Sequence, residues 1–89
     1  MGDSEAFGKL ELELRRGVVV LATLSQLRAP RYGYELRQAL ADRGMPIEEG
    51  PPRRYYSLNA DGRKLLKKLV ESWQGLNGAM DRLLEEDGQ

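Results

Sequence analysis

Cysteine and histidine are both absent from this 89-residue chain. Without cysteine there is no disulfide and no thiolate metal site. Without histidine the commonest metal ligand and the commonest general base are gone. Catalysis would need a carboxylate pair, a lysine or a tyrosine in a cleft. Glu48 and Glu49 form the only adjacent acidic pair in the middle of the chain. They read as a solvated acidic turn. The chain is therefore expected to be no enzyme and to need no cofactor and no metal. No apolar run approaches the roughly 20 residues that span a bilayer, so no membrane partner is expected. The first residues, Met-Gly-Asp-Ser-Glu-Ala-Phe, lack the basic start and apolar core of a signal peptide, which points to the cytoplasm.

A global charge excess is also missing. Fourteen Lys and Arg balance fourteen Asp and Glu, whereas nucleic-acid-binding domains tend to be basic overall. The charge is unevenly placed, however. Arg53, Arg54, Arg63, Lys64, Lys67 and Lys68 face one acid, Asp61, across residues 53–68. Asp81, Glu85, Glu86 and Asp87 face only Arg82 at the end of the chain. Such runs mark either interaction surfaces or ordinary solvated helix faces. One small core at this length is marginal, and with staples excluded oligomerisation is the remaining source of stability.

Residues 1–9 are polar, contain two glycines, and are expected to form a flexible tail. Leu10, Leu14, Val18 and Leu21 then recur at helical spacing and predict a helix over 10–27. Pro30 ends it, because proline cannot extend the hydrogen-bond ladder. Tyr32, Leu36, Ala39 and Leu40 predict a second helix over 32–43, with Gly44 as a left-handed cap. The short turn between them implies an angled helix pair.

The aromatic run at 53–58 reads as a strand following two prolines. A lone strand needs a partner, and no other segment reads as one. Asn59 is a good N-cap for a final helix reaching about residue 86. Along it Leu66, Leu69, Trp73, Leu76, Met80 and Leu83 alternate spacings of three and four, the a/d pattern of a helix seam. Leu65, Val70 and Leu84 widen the stripe, enough for a helix that packs on its own domain and on a second copy. Gly75 and Gly78 each cost about 1 kcal/mol inside a helix. They allow either a close helix crossing or a frayed end.

Taken together, Arg-Tyr-Gly-Tyr-Glu-Leu at 31–36, Ile-Glu-Glu-Gly at 47–50, Pro-Arg-Arg-Tyr-Tyr-Ser-Leu at 52–58 and Glu-Ser-Trp at 71–73 resemble the PadR family of winged-helix transcriptional regulators. The resemblance implies a mainly α fold with a small β wing, a winged helix-turn-helix followed by a long C-terminal dimerisation helix. Residues 1–58 would form the DNA-binding domain and 59–89 the dimerisation helix. In the family a recognition helix, a turn and a first wing strand follow the Glu-Gly. Here Pro51 follows Gly50 directly. Either the chain is shortened, or a segment is closed over at this point; the unpaired strand favours the second. A 50–51 Cα separation far beyond the roughly 3.8 Å of a trans peptide would mark it.

The resemblance further implies a homodimeric regulator, usually a repressor released by a small effector, bound to a double-stranded DNA operator. Arg53 and Arg54 would open the second wing strand and reach phosphates or the minor groove, or else serve as charges that protect a sheet edge. Arg31 and Tyr32 stand where a helix N-terminus could hold a phosphate; alternatively one of Tyr32 and Tyr34 is core, Tyr34 by preference, and the other half-exposed. Leu66, Leu69, Trp73, Leu76, Met80 and Leu83 would line the dimer interface. Trp73 either fills core volume or pairs with its copy to stack a planar aromatic effector. The competing expectation is a shortened helical module that dimerises or binds small molecules without touching DNA.

Overall fold

The computed structural model describes residues 2–47 and 53–87. Its elements run α1 (Gly2–Ser25), β1 (Arg31–Tyr32), α2 (Gly33–Asp42), β2 (Tyr55–Tyr56) and α3 (Ala60–Asp87). This is a mainly helical chain with one small antiparallel ladder, the winged-helix plan that the motifs imply.

The expected flexible tail is instead helix. α1 begins at Gly2, with Asp3 and Glu5 in its first turn. Carboxylates there favour the positive end of the helix dipole. Phe7 continues the Leu10–Leu14 stripe by one turn, a periodicity hidden by the polar residues around it. α1 closes with a tight turn, as Leu27 N–H donates to the Leu24 carbonyl at 3.1 Å, and Pro30 follows.

α2 ends as its glycine predicts. Gly44 has φ +90°, a region costly for residues with a Cβ. Its N–H donates to the Ala41 carbonyl at 3.0 Å, and Met45 N–H donates to the Leu40 carbonyl at 2.8 Å. These two bonds are the Schellman closure of a helix C-terminus. At the start of α3 the Asn59 Oδ1 accepts the Gly62 N–H at 2.7 Å, the bond expected of an N-cap. A Cβ on Gly62 would lie 3.3 Å from that same oxygen and from Leu58 Cδ2, a tight fit that those two side chains would have to relieve by a few tenths of an ångström. α3 then runs unbroken through Gly75 and Gly78. The frayed end is not observed. A Cβ on Gly75 would meet nothing, so no close crossing inside the chain requires that glycine.

The strand at 53–58 has a partner after all. β1 pairs antiparallel with β2, Arg31 opposite Tyr56 and Tyr32 opposite Tyr55. Two residues before a helix carry too little period-2 signal to be read as a strand, and the pairing is purely tertiary. The ladder is short, since β2 itself covers only Tyr55–Tyr56. The Gly50–Pro51 junction lies outside the described residues.

Leu27, Leu36 and Leu40 form the core, with Ala22, Ile47, Tyr56 and Leu58 packed around them. Leu66 and Ala39 are also buried. The molecule is extended beyond this small centre. Its radius of gyration is 15.8 Å, whereas a compact chain of this length has about 12 Å. The excess comes from α1 and α3, whose outer turns project beyond the core.

Candidate nucleic-acid interface

The alternation of the ladder sorts its four residues by face. Tyr32 and Tyr55 are exposed, whereas Arg31 and Tyr56 turn inward and are half-buried. The Tyr32 ring lies 4.8 Å from that of Tyr55, planes tilted by 58°. It also stacks on Tyr34 at 5.8 Å and 11°. All three rings are exposed, 42% for Tyr32, 55% for Tyr34 and 59% for Tyr55. The expectation of a core tyrosine at position 32 or 34 therefore fails. Leu36, Ala39 and Leu40 supply the buried face of α2, and Tyr56 is the tyrosine that packs on the core.

Arg53 and Arg54 are both exposed, directly before Tyr55. The Arg54 carbonyl accepts the Gly33 N–H at 2.8 Å, so the backbone of this basic pair is tied to the first residue of α2. Two exposed cationic residues thus directly precede the exposed tyrosine of β2 in the chain. Guanidinium and phenolic groups are both phosphate donors.

The other two candidate residues are not brought together. Arg31 donates from Nε to the Gln26 carbonyl at 2.7 Å, bracing the turn between α1 and β1. Tyr32 lies on the opposite face. The α2 N-terminus is already supplied with a carboxylate, because Glu35 Oε1 accepts the Tyr32 N–H at 2.8 Å. A phosphate at this helix end would meet that negative charge. Sequence reasoning missed Glu35, although an acid three residues into a helix is the signature of a capping box.

The seam residues divide. Leu66 is 5% exposed and is spent inside the chain's own core, a correction to its place on an intermolecular seam. Leu69 is half-buried. Beyond it Trp73, Leu76, Met80 and Leu83 are exposed by 42, 62, 47 and 55%. An open cleft of about 630 Å³ separates α1 from α3 and is lined by Leu14, Val18, Leu21, Leu69, Trp73 and Leu76, among others. Trp73 is thus no core filler within one chain.

A solved chain shares this architecture. The crystal structure of a PadR family transcriptional regulator from Eggerthella lenta DSM 2243 superposes with a TM-score of 0.72 at 34% identity, over 94% of this chain and 93% of that one. No family model matches the sequence, and no curated protein matches it. The fold and its motifs define a winged-helix transcriptional regulator. The chain belongs to the PadR family. Among the described residues no helix is long and apolar enough to cross a membrane.

Proposed function

We propose that this protein is a DNA-binding transcriptional regulator that acts as a homodimer, represses in the cytoplasm, and is released by a small, flat effector. One observation carries the DNA reading. The exposed Arg53 and Arg54 stand beside the exposed Tyr32–Tyr55 pair, with their backbone held on α2. Positive charge on a braced strand gives electrostatic affinity without ordering a loose arm.

The dimer reading rests on the apolar surface that one chain leaves open. Trp73, Leu76, Met80 and Leu83 continue the seam past the point where the chain's own core ends. A contiguous apolar surface of this kind marks an interface. A two-fold dimer presents two equal reading heads, so its operator is an inverted repeat. Trp73 would bring its ring to the same interface and offer a stacking face to a planar effector. Such an effector would act by differential affinity for DNA-competent and incompetent dimer geometries.

The test is selection from a random duplex pool, followed by sequencing of the retained DNA. Enrichment of inverted repeats is the expected result. Retention of duplexes with no common sequence would reduce the reading to non-specific binding. No retention at all would leave a dimerisation module.

A further inference from the structure

We propose that the outer edge of β2 takes an extended, acidic segment of another protein, which adds to the wing as a further antiparallel strand. The hydrogen-bond pattern of the ladder leaves this edge open. Arg31 lies opposite Tyr56 and Tyr32 opposite Tyr55, a register that places Gly33 opposite Arg54. The Gly33 N–H donates to the Arg54 carbonyl at 2.8 Å. Bonded and unbonded pairs alternate along an antiparallel ladder. Tyr32 and Tyr55 are therefore the unbonded pair, and their backbone groups point away from each other. Side chains approach closely at such a pair, as the 4.8 Å between these two rings shows.

The two edges then differ. On the β1 side the Tyr32 N–H is already met by Glu35 Oε1 at 2.8 Å. On the β2 side nothing among the described residues bonds the Tyr55 N–H or its carbonyl, and the residue is exposed. An unpaired donor and acceptor on an exposed strand are a template for another strand.

Charge chooses the occupant. Arg53 and Arg54 are exposed and lead into β2, and no acid stands between residues 53 and 60. A second copy of β2 would bring two more guanidinium groups to one short sheet without a carboxylate, in any register. Like charge at an edge guards against such self-pairing. A carboxylate on the added strand instead gains charge-assisted hydrogen bonds from the same arginines. β2 is only two residues long, so side chains must supplement its backbone bonds. The residue of the added strand beside Tyr55 lies against a surface of three rings, Tyr55, Tyr32 and Tyr34. β-Branched and aromatic side chains suit that position. The segment is thus β-branched in the middle and acidic toward its C-terminal end, which an antiparallel strand lays beside Arg53 and Arg54. It would cover the arginines assigned to DNA and displace an operator. That consequence rests on the DNA reading, but the binding does not.

The experiment titrates the full chain with the capped peptide Ac-Thr-Val-Thr-Val-Glu-Glu-NH2, read by backbone amide NMR and hydrogen exchange. A second peptide has lysine for both glutamates. Two more are N-methylated on alternating residues, so that one loses the donors aimed at β2 and the other keeps them. We expect the glutamate peptide to shift the amides of Arg53 to Ser57 and to slow exchange of the Tyr55 N–H. The lysine peptide should bind about tenfold more weakly or worse, the scale of one charge-assisted hydrogen bond. Only one of the N-methylated pair should bind. The double variant Arg53→Gln, Arg54→Gln should keep its helical circular dichroism and lose affinity for the glutamate peptide by a similar factor. No binding of the glutamate peptide, equal binding of the lysine peptide, equal behaviour of the N-methylated pair, or an unslowed Tyr55 N–H would each overturn the proposal. A Tyr55 N–H protected before peptide is added would overturn it too. Loss of that protection on dilution would assign the edge to a second copy, and its persistence would mean that the chain closes the edge itself. Should the variant fail to fold, the four peptides on the unaltered chain still decide. Failure to retain any duplex would count against the DNA reading alone, because this titration contains no DNA.

Discussion

Gly33 and Arg54 are joined across the wing by a 2.8 Å hydrogen bond from the Gly33 N–H to the Arg54 carbonyl. This bond makes α2 and β2 one mechanical unit. It also places two arginine side chains at the outer end of a ladder that would otherwise be two residues long. Being a backbone contact, it survives truncation of the arginine side chains.

Replacement of Arg53 and Arg54 by alanine should therefore weaken DNA binding without unfolding the wing. Removing one phosphate partner should reduce the slope of log affinity against log salt by about 0.9. Fluorescence anisotropy across a salt series reads this directly. An unchanged slope would show that the pair touches no phosphate.

Two leucines on one stripe of α3 should behave differently. Leu66→Ala removes a buried side chain and should cost about 2–5 kcal/mol of folding stability. Leu76, 62% exposed in the single chain, should matter little to folding. Leu76→Ala should instead weaken self-association by about tenfold, as central interface residues do. Urea unfolding and sedimentation equilibrium separate the two. An unchanged association constant for Leu76→Ala would remove this residue from the interface.

The Asn59 cap gives a local stability test. Asn59→Ala should cost about 1 kcal/mol, and Asn59→Asp should be nearly neutral because its carboxylate accepts the same Gly62 N–H. Equal losses in thermal unfolding would mean that the 2.7 Å bond contributes nothing.

At Gly44 the strain is in the backbone alone. A Cβ there would meet no atom within 4 Å, yet φ is +90°. Gly44→Ala should lose about 1–2 kcal/mol from the left-handed penalty, with no change in the urea m-value. A neutral substitution would mean that the helix end readjusts freely.

Local chemistry explains which parts of the fold are legible in the sequence. Proline at 30, glycine at 44 and asparagine at 59 each act within a few residues, through a missing donor, a permitted φ or a short side-chain acceptor. Their helix ends fall where these residues stand. Glu35 is equally legible as a capping acid, though the expectation of a phosphate site at the α2 N-terminus passes it over. The helical start of α1 is obscured because Gly2, Asp3, Ser4 and Glu5 look like tail residues unless Phe7 is counted with Leu10 and Leu14. The heptad on α3 is visible as a stripe. Its division between Leu66, buried at home, and Leu76, left open, depends on where α1, β2 and α3 converge.

The sequence by itself determined three helices, their caps, the apolar stripes and the clustering of basic residues, because each follows from spacing along one backbone. The partner of β2 was decided only in three dimensions. Arg31 and Tyr32 become a strand because Tyr55 and Tyr56 are brought alongside, a pairing between residues far apart in the chain. The same holds for the exposed tyrosine cluster. Long-range contacts form when the core around Leu27, Leu36 and Leu40 closes, and no local periodicity records them.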